Sequence, residues 1–379
     1  MRKIILAGLA TLTFGVLAVT ASPLTAQSEA RTHHQSLRQI VENSRSENPQ
    51  RGLPYDWLDC IERYQTETDE KAKKQLCKSW TTQGVTSSLY ALKFGSERVP
   101  VIESALAGQT TQGPLIVDIQ GGPGGSPFYT NPAMTEELLE RLRKSGLLEA
   151  MHGEMSESSH FQLLAQGFTI ASLGYWGMSM RTLNQAGEID LAIADVRRAI
   201  DFYRDQEGQE PPMITTSLGN HLALGALGRE RIEMMQVLAI VPVMDGLQHH
   251  LERVAKTHDE HSAESESAGE LHGTWTFFNV YAGPVDEPVF DHSEMLSMTD
   301  YATRFFADRD FPWLEIAQTG ACSRTILGSQ DPRTRDYLDR TSQLPSSVTV
   351  LDADHDILKD QPEEARAIYA AFGECLLAQ

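Results

Sequence analysis

Three short segments carry the residue types that acyl transfer needs, and they occur in the order Ser, Asp, His. The first is Met213-Ile-Thr-Thr-Ser217-Leu-Gly219-Asn-His-Leu. Apolar residues lead into Ser217 as a strand, and Asn220 to Leu227 reads as a helix, so the serine falls on a sharp strand-to-helix turn. Such a turn lifts a hydroxyl clear of a sheet and presses its neighbours against adjoining backbone, which is why Gly-x-Ser-x-Gly is the usual pattern. Gly219 fits that pattern, whereas Thr215 stands at the first glycine position. Taken alone, a serine after a strand is also what a helix cap looks like.

The second segment, Asp118-Ile-Gln-Gly121-Gly122-Pro123-Gly124-Gly125-Ser126, directly follows an apolar run. Backbone this rich in glycine lets N–H groups point at a developing negative charge. The spacings Gly-x-x-x-x-Gly-Lys and Gly-x-Gly-x-x-Gly are both missing, so an oxyanion loop fits better than a phosphate cradle. The expected donors are the N–H groups of Gly122 and Leu218, with Gly121, Pro123, Gly124 and Gly125 shaping the loop.

The third piece is a C-terminal pair. Ile326-Leu-Gly-Ser-Gln-Asp331-Pro332 places an Asp in a turn past one strand, and Val348-Thr-Val-Leu-Asp-Ala-Asp-His355 places a His past the next. A serine hydroxyl is a weak nucleophile until a base takes its proton, and that base needs a carboxylate to hold its tautomer. Adjacent parallel strands ending in Asp and His deliver both to one sheet edge. The expected triad is therefore Ser217, Asp331 and His355. Asp245, after the preceding strand, is a rival acid, and Asp352, Asp354 and Asp356 crowd His355 with further negative charge.

The elements that must position these groups read as alternating strands and helices. Leu89 to Phe94 and Val99 to Ser104 look like a hairpin of edge strands joined by Gly95-Ser96-Glu97. Leu115 to Ile119, Phe168 to Leu173, Met213 to Thr216, Val237 to Val243, Thr325 to Leu327 and Val348 to Leu351 read as further strands. Ile193, Val196, Ile200 and Tyr203 share one helix face. Ala365, Ile368 and Phe372 mark a last helix, with Pro362 suited to its first turn. The alternation predicts an α/β fold with a mostly parallel central sheet and helices on both faces. It fails between about Asp245 and Gly320, where a cap or lid is expected. The expected divisions are a signal peptide at 1–26, a polar leader and helical cysteine-bearing segment at 27–86, core at 87–244, cap at 245–320, and core again at 321–379. Within 27–86 the helical pattern runs from about Tyr55 to Trp80.

From about Ser88 to its end the chain resembles the α/β-hydrolase superfamily, and within it the proline iminopeptidase and tripeptidyl aminopeptidase group. The likeness is carried by Gly121-Gly-Pro-Gly-Gly-Ser126, Ser217-Leu-Gly219 with Leu222-Ala-Leu224, Gly328-Ser-Gln-Asp331-Pro332, and His355. Gln120 stands where the group often has His, Asp354 where Gly usually precedes the His, and Ser172 to Ser179 keeps only the Gly-x-Ser end of a longer motif. The resemblance implies an α/β-hydrolase fold with a helical cap insertion, and cleavage of peptides or esters through an acyl-enzyme without a cofactor. It also implies that acidic cap residues hold a substrate amine, for which Glu252, Glu270 and Asp286 are available.

Compartment and partners follow from the rest of the chain. Arg2-Lys3, the apolar run Ile4 to Val19 and small-residue exits at Ala21 or Ala26 predict a cleaved secretory signal. About 16 apolar residues fall short of the roughly 20 that span a bilayer, so no stable membrane anchor is expected and the protein is placed outside the cytoplasm, secreted or periplasmic. Four cysteines suit an oxidising compartment and suggest two disulfides; three connectivities are possible, of which the sequential one, Cys60 with Cys77 and Cys322 with Cys375, is favoured. Lys and Arg number 32 against 52 Asp and Glu, a formal charge of −20, which repels phosphate backbones and disfavours nucleic acid. No metal is expected: His258 and His261 in the cap sit three apart without a clear third ligand, beside His249, His250 and His272. Trp275, Phe277, Phe278 and Tyr281 are expected at a cap–core interface. Three function classes follow. The first is a peptidase on short peptides, the second a carboxylesterase or lactonase on small molecules, and the third a non-catalytic binding protein on the same fold.

Overall fold

A computed structural model describes residues 73–95, 97–109, 113–121, 158–174, 188–242 and 320–379. The expected signal and leader, Cys60, Gly122 to Gly125, Asp245 and the cap with its His, acidic and aromatic residues lie outside the described residues.

Among the described residues nine strands form one sheet. The N-terminal three are β1 (Lys73–Thr82), β2 (Val85–Phe94) and β3 (Glu97–Leu106), and they pair antiparallel in sequence order. The next three are β4 (Leu115–Ile119), β5 (Thr169–Leu173) and β6 (Met213–Thr216). The last three are β7 (Val237–Ile240), β8 (Arg324–Gly328) and β9 (Val348–Leu351). Spatially the order is β1-β2-β3-β5-β4-β6-β7-β8-β9, with every pairing from β5 through β9 parallel. The swap of β4 and β5, followed by a run of parallel neighbours, is the strand order of the α/β-hydrolase fold, here extended by the extra antiparallel strand β1.

The parallel part of the sheet, β5 to β9, is covered by helices on both faces. The strands are short apolar runs whose successive residues point to opposite sides, so each feeds two cores. On one side Leu115, Val117, Met213, Val237 and Leu327 pack with Ile193, Val196 and Ile200 of α2 (Glu188–Glu207) and Leu222 of α3 (Leu218–Leu227). On the other, Ile116, Ile170, Ile214, Leu238 and Ile326 pack with Leu163 and Leu164 of α1 (Ser159–Ala165) and Tyr369 and Phe372 of α7 (Pro362–Leu377). Short helices α4 (Arg229–Glu233), α5 (Pro332–Arg340) and α6 (Ile357–Asp360) complete the described chain. All four residues of the predicted face on α2, including Tyr203, are buried, and Pro362 opens α7 as expected. No helix among the described residues is long and apolar enough to cross a membrane.

Two expectations change. The helix expected as far as Trp80 gives way to β1 over its last part, so the sheet begins at Lys73. Strand wins there because Gln83 and Gly84 both take positive φ, 46° and 79°, the two-residue hairpin geometry that matches strand twist. That turn delivers β1 onto β2 from Thr82–Val85 back to Lys73–Lys93. As a result β2 and β3 are interior strands, not a free edge hairpin. The register of β1 slips between Leu76 and Lys78, so Cys77 sits in a bulge, which re-aims a side chain.

Cys77 is disulfide-bonded, and its expected partner Cys60 lies outside the described residues. Cys322 bonds Cys375, joining the entry of β8 to α7 across a sequence separation of 53. Closing a loop of that length restricts the unfolded chain by about 4 kcal/mol in the chain-entropy model. Replacing both cysteines by Ala should lower unfolding stability by roughly 3 to 4 kcal/mol, measured from the midpoint and slope of urea unfolding, with the slope rising as the unfolded chain expands.

Candidate active site

Ser217 occupies the turn between β6 and α3, with φ 48° and ψ −118°. A non-glycine residue in that region costs about 1 to 3 kcal/mol and persists only where its surroundings over-determine it. The surroundings do so here. Ser217 N–H donates to the Ile240 carbonyl at 2.9 Å, and Asn220 N–H donates to the Ser217 carbonyl at 3.1 Å. A Cβ at Gly219 would sit 2.1 Å from the Ile119 carbonyl oxygen, and one at Gly121 would sit 2.5 Å from the Ser217 Cβ. Only glycine lets the β4 and β6 turns close on one another, which gives Gly219 and Gly121 a shared steric reason.

Asp331 and His355 reach the same edge from β8 and β9. The two loops are laced by Ser329 N–H to Leu351 O at 2.9 Å and Gln330 N–H to Ala353 O at 2.9 Å. Gly328 lies beneath them, and a Cβ there would meet the Asp354 carbonyl oxygen at 2.5 Å. Asp331 lies at the start of α5, where its backbone carbonyl accepts from Thr334 and Arg335 N–H. The loop turn expected at Asp331-Pro332 is thus a helix start. Its carboxylate is fully buried and turns away from the helix to His355 Nδ1, at 2.6 Å. His355 Nε2 lies 2.9 Å from Ser217 Oγ. A line of contacts therefore runs from a buried carboxylate through an imidazole to a hydroxyl on a strained turn. Two of the other acids near His355 have partners of their own: Asp352 accepts from Ser329 and Gln330, and Asp354 from the His355 backbone N–H.

Leu218 is the first residue of α3, so its N–H is among those a helix leaves without an intrahelical acceptor. Gly121 is in place against Ser217, while the second expected donor, Gly122, lies outside the described residues. Below the glycine-rich turn, Asp118 is fully buried and accepts from Ser172 Oγ at 3.0 Å and Gln120 Nε2 at 3.3 Å, with His160 Nε2 at 3.6 Å. Asp118 was legible only as the start of a glycine-rich segment; its role as a buried anchor depends on strands β4 and β5 being neighbours. Among the described residues no three His, Cys, Asp or Glu side chains group as metal ligands.

His221 on α3 is fully buried, and desolvation pushes its imidazole down to about 3. It stays neutral at any ordinary pH, and helix α3 can pack without a charge behind the serine.

No protein-family model matches the chain, and no curated protein matches it. Among solved structures, it is similar to a cold-adapted esterase from an Arctic intertidal metagenomic library, at 14% identity over 79% of this chain and 97% of that one, TM-score 0.40. It is similar to acetyl xylan esterase 1 from Thermoanaerobacterium sp. JW/SL YS485, at 11% identity over 84% and 92%, TM-score 0.41. A thioesterase domain from the curacin biosynthetic pathway matches at 14% identity over 75% and 99%, TM-score 0.39. At these values the likeness assigns no activity.

Two outcomes follow from the geometry. The variant Ser217→Gly should be more stable than Ser217→Ala by about 1 kcal/mol, reversing the usual order because the backbone sits at positive φ; paired denaturant midpoints measure this. The buried His221 makes folding acid-sensitive. The folded state resists a proton that the unfolded chain accepts near pH 6.5, so stability is complete above that pH and declines as pH falls toward 3. Within that window His221→Leu should reduce the slope of stability against pH by up to about 1.4 kcal/mol per unit, read from denaturant melts at stepped pH.

Proposed function

We propose that this protein is an exported serine hydrolase that cleaves ester bonds of small-molecule substrates by acyl transfer. The contact line Asp331–His355–Ser217 carries the reading. Ser217 Oγ attacks the substrate's acyl carbon as its proton passes to His355 Nε2, while the buried Asp331 holds the ring and stabilises the imidazolium. The Leu218 N–H, with Gly122 as its expected companion, meets the developing oxyanion. Collapse expels the alcohol, which takes the proton from His355, and a water activated by the same base releases the acid and restores Ser217. No step calls for a metal or cofactor, and the residues named supply nucleophile, base and electrostatic stabilisation.

Ester cleavage is placed ahead of the peptidase activity that the family likeness implies. An alcohol leaves more readily than an amine, so the described groups suffice for esters. Export is supported by the Cys322–Cys375 bond and by the bonded state of Cys77, since such bonds persist in oxidising compartments.

Aryl acetates and aminoacyl arylamides assayed side by side test this reading. Ester turnover should exceed amide turnover, and Ser217→Ala or His355→Ala should each lower the ester rate by 10³-fold or more, on the order seen for triad knockouts. Full ester turnover by Ser217→Ala contradicts the mechanism; faster amide than ester cleavage restores the peptidase reading.

A further inference from the structure

Thr215 occupies the position where the nucleophile turn usually has its first glycine, and its side chain is buried rather than turned out to solvent. The Thr215 hydroxyl donates to Asn220 Oδ1 at 2.6 Å. Asn220, one turn into α3 and fully buried, donates its amide nitrogen to two backbone carbonyls, Ser217 O at 3.0 Å and Ile240 O at 3.0 Å.

One of those carbonyls belongs to a residue at positive φ and the other directly precedes one. Ser217 has φ 48°, and Val241, the residue after Ile240, has φ 41°. Positive φ at a β-branched residue is an outlier that needs an external cause. The Asn220 amide bridges the two, with one hydrogen on the nucleophile's own carbonyl and the other on the end of β7. Ile240 O also accepts the Ser217 N–H at 2.9 Å, so the nucleophile is held to β7 from both its N–H and, through Asn220, its C=O.

The direction of the Asn220 amide matters. Rotated by half a turn, its oxygen would face two carbonyl oxygens and its nitrogen would face the Thr215 hydroxyl. A buried polar group facing like partners loses its hydrogen bonds at a cost of about 1 to 3 kcal/mol. The two carbonyls, which only accept, fix the orientation of the amide, and the Thr215 hydroxyl completes the arrangement by donating to Oδ1.

Resting on the serine-hydrolase reading above, we propose that Thr215 and Asn220 form a polar clamp that positions Ser217 for attack, taking over the work that close packing of a glycine does in the usual turn. Thr215 and Asn220 are positioning residues: neither touches the reacting atoms, and both act through the placement of Ser217 Oγ. The pairing explains why a glycine position accepts a branched residue here. The side chain that the turn would otherwise exclude is matched by a buried amide five residues later.

The test is hydrolysis of p-nitrophenyl acetate by the mature protein, with kcat and KM measured well below each variant's own melting temperature. The isosteric Thr215→Val removes the hydroxyl and Asn220→Ala the bridge; each should lower kcat about 10- to 100-fold, the scale of a small misplacement of a reacting group, with KM changed less than about twofold. Thr215→Ser, which keeps the donor, should retain wild-type kcat. The double variant Thr215→Val, Asn220→Ala should be no slower than Asn220→Ala alone, because residues acting as one unit are not additive. Should Asn220→Ala fail to fold, the contrast between Thr215→Val and Thr215→Ser decides the matter. Unchanged kcat in Thr215→Val, or an equal loss in Thr215→Ser, overturns the clamp. Wild-type hydrolysis that survives Ser217→Ala overturns the parent reading instead, so the two failures are distinct.

Discussion

The backbone of Ser217 sits where a side-chain-bearing residue is strained, and the structure around it exists in a form that keeps it there. The turn can be this tight because Gly219 and Gly121 leave no Cβ to hold the β4 and β6 ends apart. It stays tight because Ser217 N–H is tied to β7 and the following helix starts at once. Relaxing the turn would let Ser217 Oγ move away from His355 Nε2, now at 2.9 Å. Strain at one residue, stored by two cores packed on either side of a parallel sheet, is thus what gives the hydroxyl a fixed address.

The partners of that hydroxyl are fixed by a different device. Asp331 and His355 come from the ends of neighbouring strands and are laced through backbone hydrogen bonds between their loops. Burial of the Asp331 carboxylate keeps water from competing for His355 Nδ1. At the other end of β8 the Cys322–Cys375 bond ties the strand to the last helix. The strand bearing the acid is therefore held below by a covalent link and above by its contact with the base.

Much of this was legible in the sequence, for a physical reason. Parallel strands covered on both faces are nearly continuous apolar runs, and Leu115 to Ile119, Val237 to Val243 and Thr325 to Leu327 read as such, the second ending three residues earlier in the structure, at Ile240. The order Ser, Asp, His at strand ends points to one sheet edge before any coordinates are known. β1 was not legible, since Lys73 to Thr82 is polar and takes its form from pairing with β2; the signal that could have found it is Gln83-Gly84 between two β-branched stretches. The buried environment of Asp118 was equally hidden, because Ser172 and His160 come from segments far along the chain. Thr215 read as a departure from the motif, and its link to Asn220 depends on side-chain directions that spacing alone does not reveal.

The most direct measurement is covalent labelling of the protein with a fluorophosphonate, followed by mass mapping of the modified peptide. A single adduct is expected on Ser217, and it should be lost when His355 is replaced by Ala. An adduct on another residue, or a folded and disulfide-intact protein that forms none, would contradict it.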